Sequence, residues 1–156
     1  HLFSMTDTAD VHVGTNGWLF TTISIEDSIK KACEDSAHIE QMVLALHALE
    51  RVITASGRQF IFTVVPNKST IYPEFIGFIP KAGSCRRSRY DMLLEAFQRH
   101  PLKSFVRLDH RLQKAKTDKA WLYHPKGAFW NSRGAEIAAA ALWSWFSPIT
   151  PAMNPV

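Results

Sequence analysis

The sequence predicts an α/β fold in which a mainly parallel sheet is flanked by helices. An amphipathic helix at residues 37–56 leads directly into a continuous apolar, β-branched segment at residues 59–65, as expected for a strand buried on both faces. Helical and strand-like segments continue to alternate as far as residue 146. This alternation is typical of one layered domain at residues 11–146, and the chain of 156 residues is long enough to bury one core.

A β-hairpin is predicted at the start of this domain. The segments Val11-His12-Val13 and Trp18-Leu19-Phe20 have strand character and are separated by Gly14-Thr15-Asn16-Gly17. Since Asn-Gly pairs adopt positive φ at low cost, we expect positive φ at Gly14 or Gly17. Residues 1–10 are expected to be disordered or tag-like, and residues 147–156, with three prolines, to form an irregular tail.

The helix at residues 37–56 is predicted to begin at Asp35 or Ser36 and to end at Gly57. Its apolar face would consist of Ile39, Met42, Val43, Leu46, Leu49, Val52 and Ile53. Further along the chain we predict a helix around residues 90–97, a strand at 105–108, a helix at 109–116 and a third core strand at 120–123. Asn131 would cap a last helix that buries Ile137, Ala138, Ala141, Leu142 and Trp145.

The charge distribution is more informative than the net charge of +4. Residues 1–80 contain five Lys or Arg and nine Asp or Glu, a net charge of −4, whereas residues 81–156 contain thirteen and five, a net charge of +8. A basic half can face an anionic polymer, although such charge also serves solubility. No segment approaches the roughly 18 apolar residues that span a bilayer.

The two cysteines, Cys33 and Cys85, both lie in polar, loop-like sequence. This placement favours a Cys33–Cys85 disulfide over two free thiols, because buried structural thiols more often lie in apolar segments. The seven histidines show no spacing that is typical of a helical metal site, and the sequence has no phosphate-binding or dinucleotide-binding glycine motif. We therefore expect neither a metal nor a cofactor.

The segment Pro66-Asn67-Lys68 follows the most apolar predicted strand. Ligands of open α/β sheets bind at the carboxyl ends of strands, where an amide and an ammonium could donate to an oxyanion or a sugar carboxylate. The alternative is that Asn67 only closes a turn.

Four blocks of the sequence resemble the SGNH hydrolase-like polysaccharide O-acetyltransferases of the alginate type. The first three are Gly14-Thr15-Asn16-Gly17-Trp18-Leu19-Phe20, Pro66-Asn67-Lys68-Ser69-Thr70-Ile71-Tyr72-Pro73-Glu74, and the stretch from Leu108-Asp109 to Leu122-Tyr123. The fourth is Trp130-Asn131-Ser132-Arg133-Gly134-Ala135, which resembles the end of the family's Asp-x-His-Trp motif. The resemblance implies a shortened SGNH- or flavodoxin-like sandwich.

The same resemblance places the family's catalytic Asp and His at Gly127 and Phe129. Neither residue can act as a base or orient one, and the family's Gly-[Asp/Thr]-Ser nucleophile segment does not occur before Val156. His124 is nearby but fills a position that the family does not use for catalysis. No catalytic residue is therefore predicted in this chain, and whether it is an enzyme stays open.

The resemblance implies an exported, periplasmic setting, an anionic or acetylated polysaccharide as ligand, and a membrane-bound acyltransferase as partner, without nucleic acid. We expect the polysaccharide to contact Asn67, Lys68, Tyr72, Trp130 and Asn131, with core packing as the alternative for Tyr72 and Trp130. Replacing Lys68 would then weaken binding and leave the fold intact. The leading interpretation is a catalytically degenerate domain that binds polysaccharide or a pathway partner. The alternatives are an active O-acetyltransferase or esterase completed by a missing segment or another chain, and a purely structural protein.

Overall fold

The computed structural model describes residues 10–28, 36–79, 87–117 and 120–146. Within these ranges the strands are β1 (Val11–Val13), β2 (Leu19–Thr21), β3 (Phe62–Thr63) and β4 (Phe105–Val106). The helices are α1 (Thr22–Ser28), α2 (Ser36–Ala55), α3 (Lys68–Ile71), α4 (Arg89–Arg99), α5 (Leu108–Ala115) and α6 (Ser132–Phe146). Short 3-10 turns cover Thr15–Gly17 and Pro73–Phe75. Asp35, Cys33, Cys85 and most of the two predicted terminal segments lie outside the described residues, so the disulfide stays a prediction.

The fold is α/β, but the predicted mainly parallel sheet is not confirmed. The described strands form two separate two-stranded sheets, with β1 antiparallel to β2 and β3 parallel to β4. Each strand is two or three residues long, so helices and loops supply most of the core.

The predicted hairpin is confirmed, with Val11, His12 and Val13 opposite Thr21, Phe20 and Leu19. Its turn places Asn16 at φ 54° and Gly17 at φ 76°. Trp18 and Phe20 then enter the core with 0% and 2% of their surfaces exposed. The turn chemistry therefore delivers two large aromatic side chains to the centre of the molecule.

Replacing Gly17 by valine should lower the free energy of unfolding by about 1–3 kcal/mol, because a β-branched residue resists positive φ. A Cβ at this position would meet no neighbouring atom within 4 Å, so we expect the effect to come mainly from the backbone. Gly17→Asn is the matched control, since asparagine tolerates this region. Equal melting temperatures for both variants and the wild type would contradict this assignment.

The segment at residues 59–65 is not the doubly buried strand that its sequence predicts. Only Phe62 and Thr63 pair, and Val65 is 58% exposed. Among the described residues, β3 has β4 as its one partner strand, so no second strand covers the remainder of the run. Within this apolar segment, only the short parallel pair of β3 and β4 is regular sheet.

Residues 120–123 are also not a core strand, although Leu122 and Tyr123 are buried. The Leu122 N–H donates to the Tyr72 hydroxyl at 2.9 Å, and the Leu122 carbonyl accepts from the Asn131 N–H at 2.8 Å. Because these backbone groups are already bonded to a side chain and to a neighbouring loop, they are not available for a sheet ladder.

Helix α2 extends over nearly the predicted span and ends before Gly57, which has φ 78°. Its predicted apolar face is only partly correct. Ile39 and Val43 pack against α4, whereas Leu49 and Val52 are 46% and 69% exposed. The reason is that α4 packs beside the first half of α2, so the second half keeps apolar side chains at the surface.

The larger core cluster surrounds the residues that the family resemblance singles out. Its fully buried side chains include Trp18, Phe20, Ile71, Tyr72, Ile76, Leu108, Leu112, Leu122 and Tyr123. The Trp18 ring stacks on Phe75 with 4.4 Å between ring centroids. The hairpin, α3, α5 and the segment before α6 thus share one core.

Candidate functional site

Lys68 is the most informative residue at the predicted site. It begins α3 directly after Asn67, and only 2% of its surface is exposed. Its ammonium donates to the carbonyls of His124, Pro125 and Gly127 at 3.2, 2.9 and 2.6 Å. A lysine ammonium has three protons, so all three are directed at this one loop.

Two aromatic rings complete the surroundings of the ammonium. Lys68 Nζ lies 4.9 Å from the centroid of the Phe20 ring and 5.5 Å from that of the Trp18 ring. Contacts of this kind stabilise a cation. Burial lowers the pKa of Lys68 to about 8, so the side chain is still charged at neutral pH.

The loop that Lys68 holds, residues 124–130, contains Gly127 and Phe129, where the motif resemblance leads us to expect the family's Asp and His. Its backbone is also fixed by a hydrogen bond from the Leu19 N–H to the Pro125 carbonyl at 2.9 Å. Tyr123 and Trp130 form an antiparallel bridge at its ends. Phe129, between these attachments, is 81% exposed. The loop therefore has a well-defined backbone and presents a phenyl ring to solvent.

Tyr72 is 1% exposed and lies inside the core. Besides accepting from the Leu122 N–H, it packs against Trp18 at 4.8 Å between ring centroids. The Lys116 ammonium lies 4.7 Å from the centre of its ring. Burial raises the pKa of the Tyr72 hydroxyl. These contacts favour the core-packing alternative for Tyr72 over a sugar-stacking role.

Asn131 performs the capping role that its sequence position predicts. Its Oδ1 accepts from the Gly134 N–H at 3.0 Å, and its Nδ2 donates to the Trp121 carbonyl at 2.7 Å. Trp130 is half-buried and packs edge-on against Tyr123, with 6.5 Å between ring centroids. Both residues tie the 124–130 loop to α6, and their predicted contacts with a polysaccharide stay predictions.

Asn67 faces a different part of the surface. It lies at the edge of an open cleft of about 520 Å³ at the carboxyl end of β3, in the position expected for a ligand site of an α/β sheet. Among the described residues the polar lining is formed by Ser28, His38, Asn67, Thr70, Arg89 and Tyr90. The structure thus separates Asn67 from Lys68, Tyr72, Trp130 and Asn131, which surround the 124–130 loop.

Beside this cleft is a polar cluster that was not predicted from the sequence. Arg107 Nε donates to Asp109 Oδ1 at 3.1 Å, and Tyr90 hydrogen-bonds to the same carboxylate. Burial raises the pKa of Asp109, but the hydrogen bonds outweigh burial and hold this pKa below its ordinary value. The available signal was the position of Asp109 just after β4, at a strand's carboxyl end. The charge of Asp109 is thus paired with that of Arg107, and the cluster holds the start of α5.

Two further observations concern the described part of the chain. No three His, Cys, Asp or Glu side chains are grouped there so that they could hold a metal ion. None of the helices there combines the length and apolarity that crossing a membrane requires.

The match with known families agrees with this geometry. The family model that matches describes an SGNH hydrolase-like domain and extends over residues 11–149. Because the match covers most of the chain, this protein belongs to that family, the SGNH hydrolase-like domain of the acetyltransferase AlgX. The resemblance inferred from the four sequence blocks is confirmed. No curated protein and no solved structure matches the chain significantly.

Proposed function

We propose that this chain is a catalytically degenerate, acetyltransferase-like domain that binds an anionic or acetylated exopolysaccharide, or a partner in its acetylation, in the periplasm. The observation that carries the proposal is that Gly127 and Phe129 stand where the motif resemblance places the family's Asp and His. A phenyl ring accepts no proton, and glycine has no side chain with which to orient a base.

The surroundings of the pair support degeneracy rather than a displaced active site. His124 is exposed, and its carbonyl accepts from Lys68. Ser69, in the neighbouring helix α3, is 0% exposed and donates to the Ser24 carbonyl at 2.7 Å. A serine that is buried and donates to a backbone carbonyl is a poor nucleophile, because it is neither accessible nor paired with a base.

The polysaccharide part of the proposal rests on family membership and charge. The family model is that of an acetyltransferase, and residues 81–156 contain eight more basic than acidic residues. A membrane-bound acyltransferase is the partner that such a domain would serve. The alternative function is an active O-acetyltransferase or esterase whose nucleophile lies on a missing segment or on another chain.

We expect the purified chain to hydrolyse p-nitrophenyl acetate no faster than buffer, because no base occupies position 129. Stopped-flow absorbance would measure both the burst and the steady rate, with a heat-unfolded sample as the control for unspecific hydrolysis. An acyl-enzyme burst that a serine-directed inhibitor removes would favour the active-enzyme alternative instead.

Binding is tested separately, by calorimetric titration with polyuronate oligosaccharides and with an acetylated glucan. Heat that saturates with a polyuronate and decreases with added salt is the expected result. Absence of heat with every polysaccharide at millimolar concentration would contradict the polysaccharide function and leave the partner-binding one.

A further inference from the structure

Phe129 is an exposed aromatic ring on a rigid loop. It is 81% exposed, while its neighbour Trp130 is half-buried against Tyr123. Burying a phenylalanine side chain stabilises a protein by about 1.5–3 kcal/mol, so full exposure forgoes that stabilisation. Phe129 therefore contributes little to the fold.

The backbone that presents the ring is held from several sides. Lys68 bonds the carbonyls of residues 124, 125 and 127, and the Gly127 N–H donates to the His124 carbonyl at 3.2 Å. Little conformational entropy remains to be lost when a ligand meets such a loop, which favours binding.

The sequence on either side of Phe129 is rich in basic residues. Residues 119–135 contain Lys119, Lys126 and Arg133 and no Asp or Glu, and Asp118 and Glu136 flank this stretch. Lys126 and Arg133 are exposed, as is His124. The stretch therefore combines the flat phenyl ring of Phe129 with exposed cations, and it contains no carboxylate.

We propose that the 124–130 loop is a contact site for an acidic polysaccharide. Phe129 stacks on the C–H face of one uronate ring, while Lys126 and Arg133 contact carboxylates of the same polymer. This inference rests on the proposed polysaccharide function and identifies the residues that carry it. A pyranose ring offers an apolar face of similar size to a phenyl ring, and each uronate adds one negative charge. A protein partner fits less well, because a standard interface needs about 800 Å² on each side and Phe129 is a single ring.

The test compares wild type, Phe129→Ala, Phe129→Trp and Lys126→Ala by calorimetry with a polyuronate oligosaccharide, with a neutral glucan oligosaccharide as the ligand control. Phe129→Ala should weaken binding about tenfold, as expected for the loss of one aromatic contact at an interface. Phe129→Trp should retain wild-type affinity. Lys126→Ala should weaken binding less, and its effect should decrease as salt rises from about 0.05 to 0.5 M.

Melting temperatures accompany each titration. Because Phe129 and Lys126 are exposed, all three variants should melt within a few degrees of the wild type. A wild type that binds polyuronate, together with a Phe129→Ala variant of equal affinity, would overturn this inference and leave the proposed function standing. A wild type that binds no polyuronate would overturn this inference together with the polyuronate-binding part of the proposed function. Equal affinity for the neutral glucan would overturn the role of Lys126 and Arg133.

Discussion

Lys68→Met is expected to lower the free energy of unfolding by about 2–4 kcal/mol, which is a large share of a small domain's stability. Methionine keeps most of the buried stem, so the variant removes mainly the ammonium. The carbonyls of His124, Pro125 and Gly127 would each lose one hydrogen bond. The Gly127 and Leu19 N–H groups would still donate to the first two. The buried charge and its desolvation cost would also disappear. The sequence alone suggested that Lys68 could be replaced without affecting the fold, and its burial now predicts the opposite.

Lys126→Met is the matched control, because Lys126 lies in the same loop but is exposed. It should change the free energy of unfolding by no more than about 0.5 kcal/mol. Chemical denaturation monitored by tryptophan fluorescence would measure both variants. Equal stabilities for the two would show that the contacts of Lys68 with the loop contribute nothing.

The difference in stability between the wild type and Lys68→Met should depend on pH, with a defined sign. Burial lowers the pKa of Lys68 to about 8 in the folded protein, below the ordinary value of 10.5. Between these two values the unfolded chain binds more protons than the folded one, so the contribution of Lys68 to stability increases with pH. The stability gap between wild type and Lys68→Met should therefore widen from pH 8 to 10.5. A constant gap would mean that the three carbonyls restore the ordinary pKa.

Gly134→Ala should destabilise the protein by about 2–3 kcal/mol, although alanine is the better helix former. Gly134 is buried in the first turn of α6, and a Cβ there would lie 2.5 Å from the Leu122 carbonyl oxygen and 2.7 Å from the Trp130 Cβ. Neither neighbour is the end of a flexible side chain, so α6 would have to move away from the 121–131 segment.

Ser132→Ala is the control for this variant, since Ser132 is exposed and lies two residues before Gly134, at the start of α6. Its melting temperature should stay within a few degrees of the wild type. Thermal unfolding followed by circular dichroism would measure both. A Gly134→Ala variant that is as stable as the wild type would show that α6 shifts without penalty, and that the close approach to Leu122 is not required.

These two expectations concern residues that surround the 124–130 loop. Lys68, Tyr72, Asn131 and Gly134 contact this loop or the residues that flank it. Positions 127 and 129 within the loop hold residues without acid–base chemistry. Such a loop suits the proposed binding role, because the residues that fix its backbone are not the ones that it exposes to solvent.

Local features of the fold could be predicted from the sequence because neighbouring residues determine them. The Asn16-Gly17 turn, the end of α2 at Gly57 and the Asn131 cap depend on backbone preferences and short-range hydrogen bonds. Family membership was also readable, because four ordered motifs identify it without knowledge of their contacts. The prediction that Phe129 stands where the family has its base required only the comparison of one motif.

Only the tertiary structure decided what the motif residues do. The sequence placed Lys68 at a strand's carboxyl end, where an ammonium can donate hydrogen bonds to a ligand or to the protein itself. Because residues 124–127 are far from Lys68 along the chain, the sequence does not show that Lys68 donates to them. Likewise, an apolar segment such as residues 59–65 indicates burial but not the number of partner strands, which non-local pairing sets. Burial and hydrogen-bond satisfaction depend on which distant segments meet, and that information lies in the packing of the whole chain.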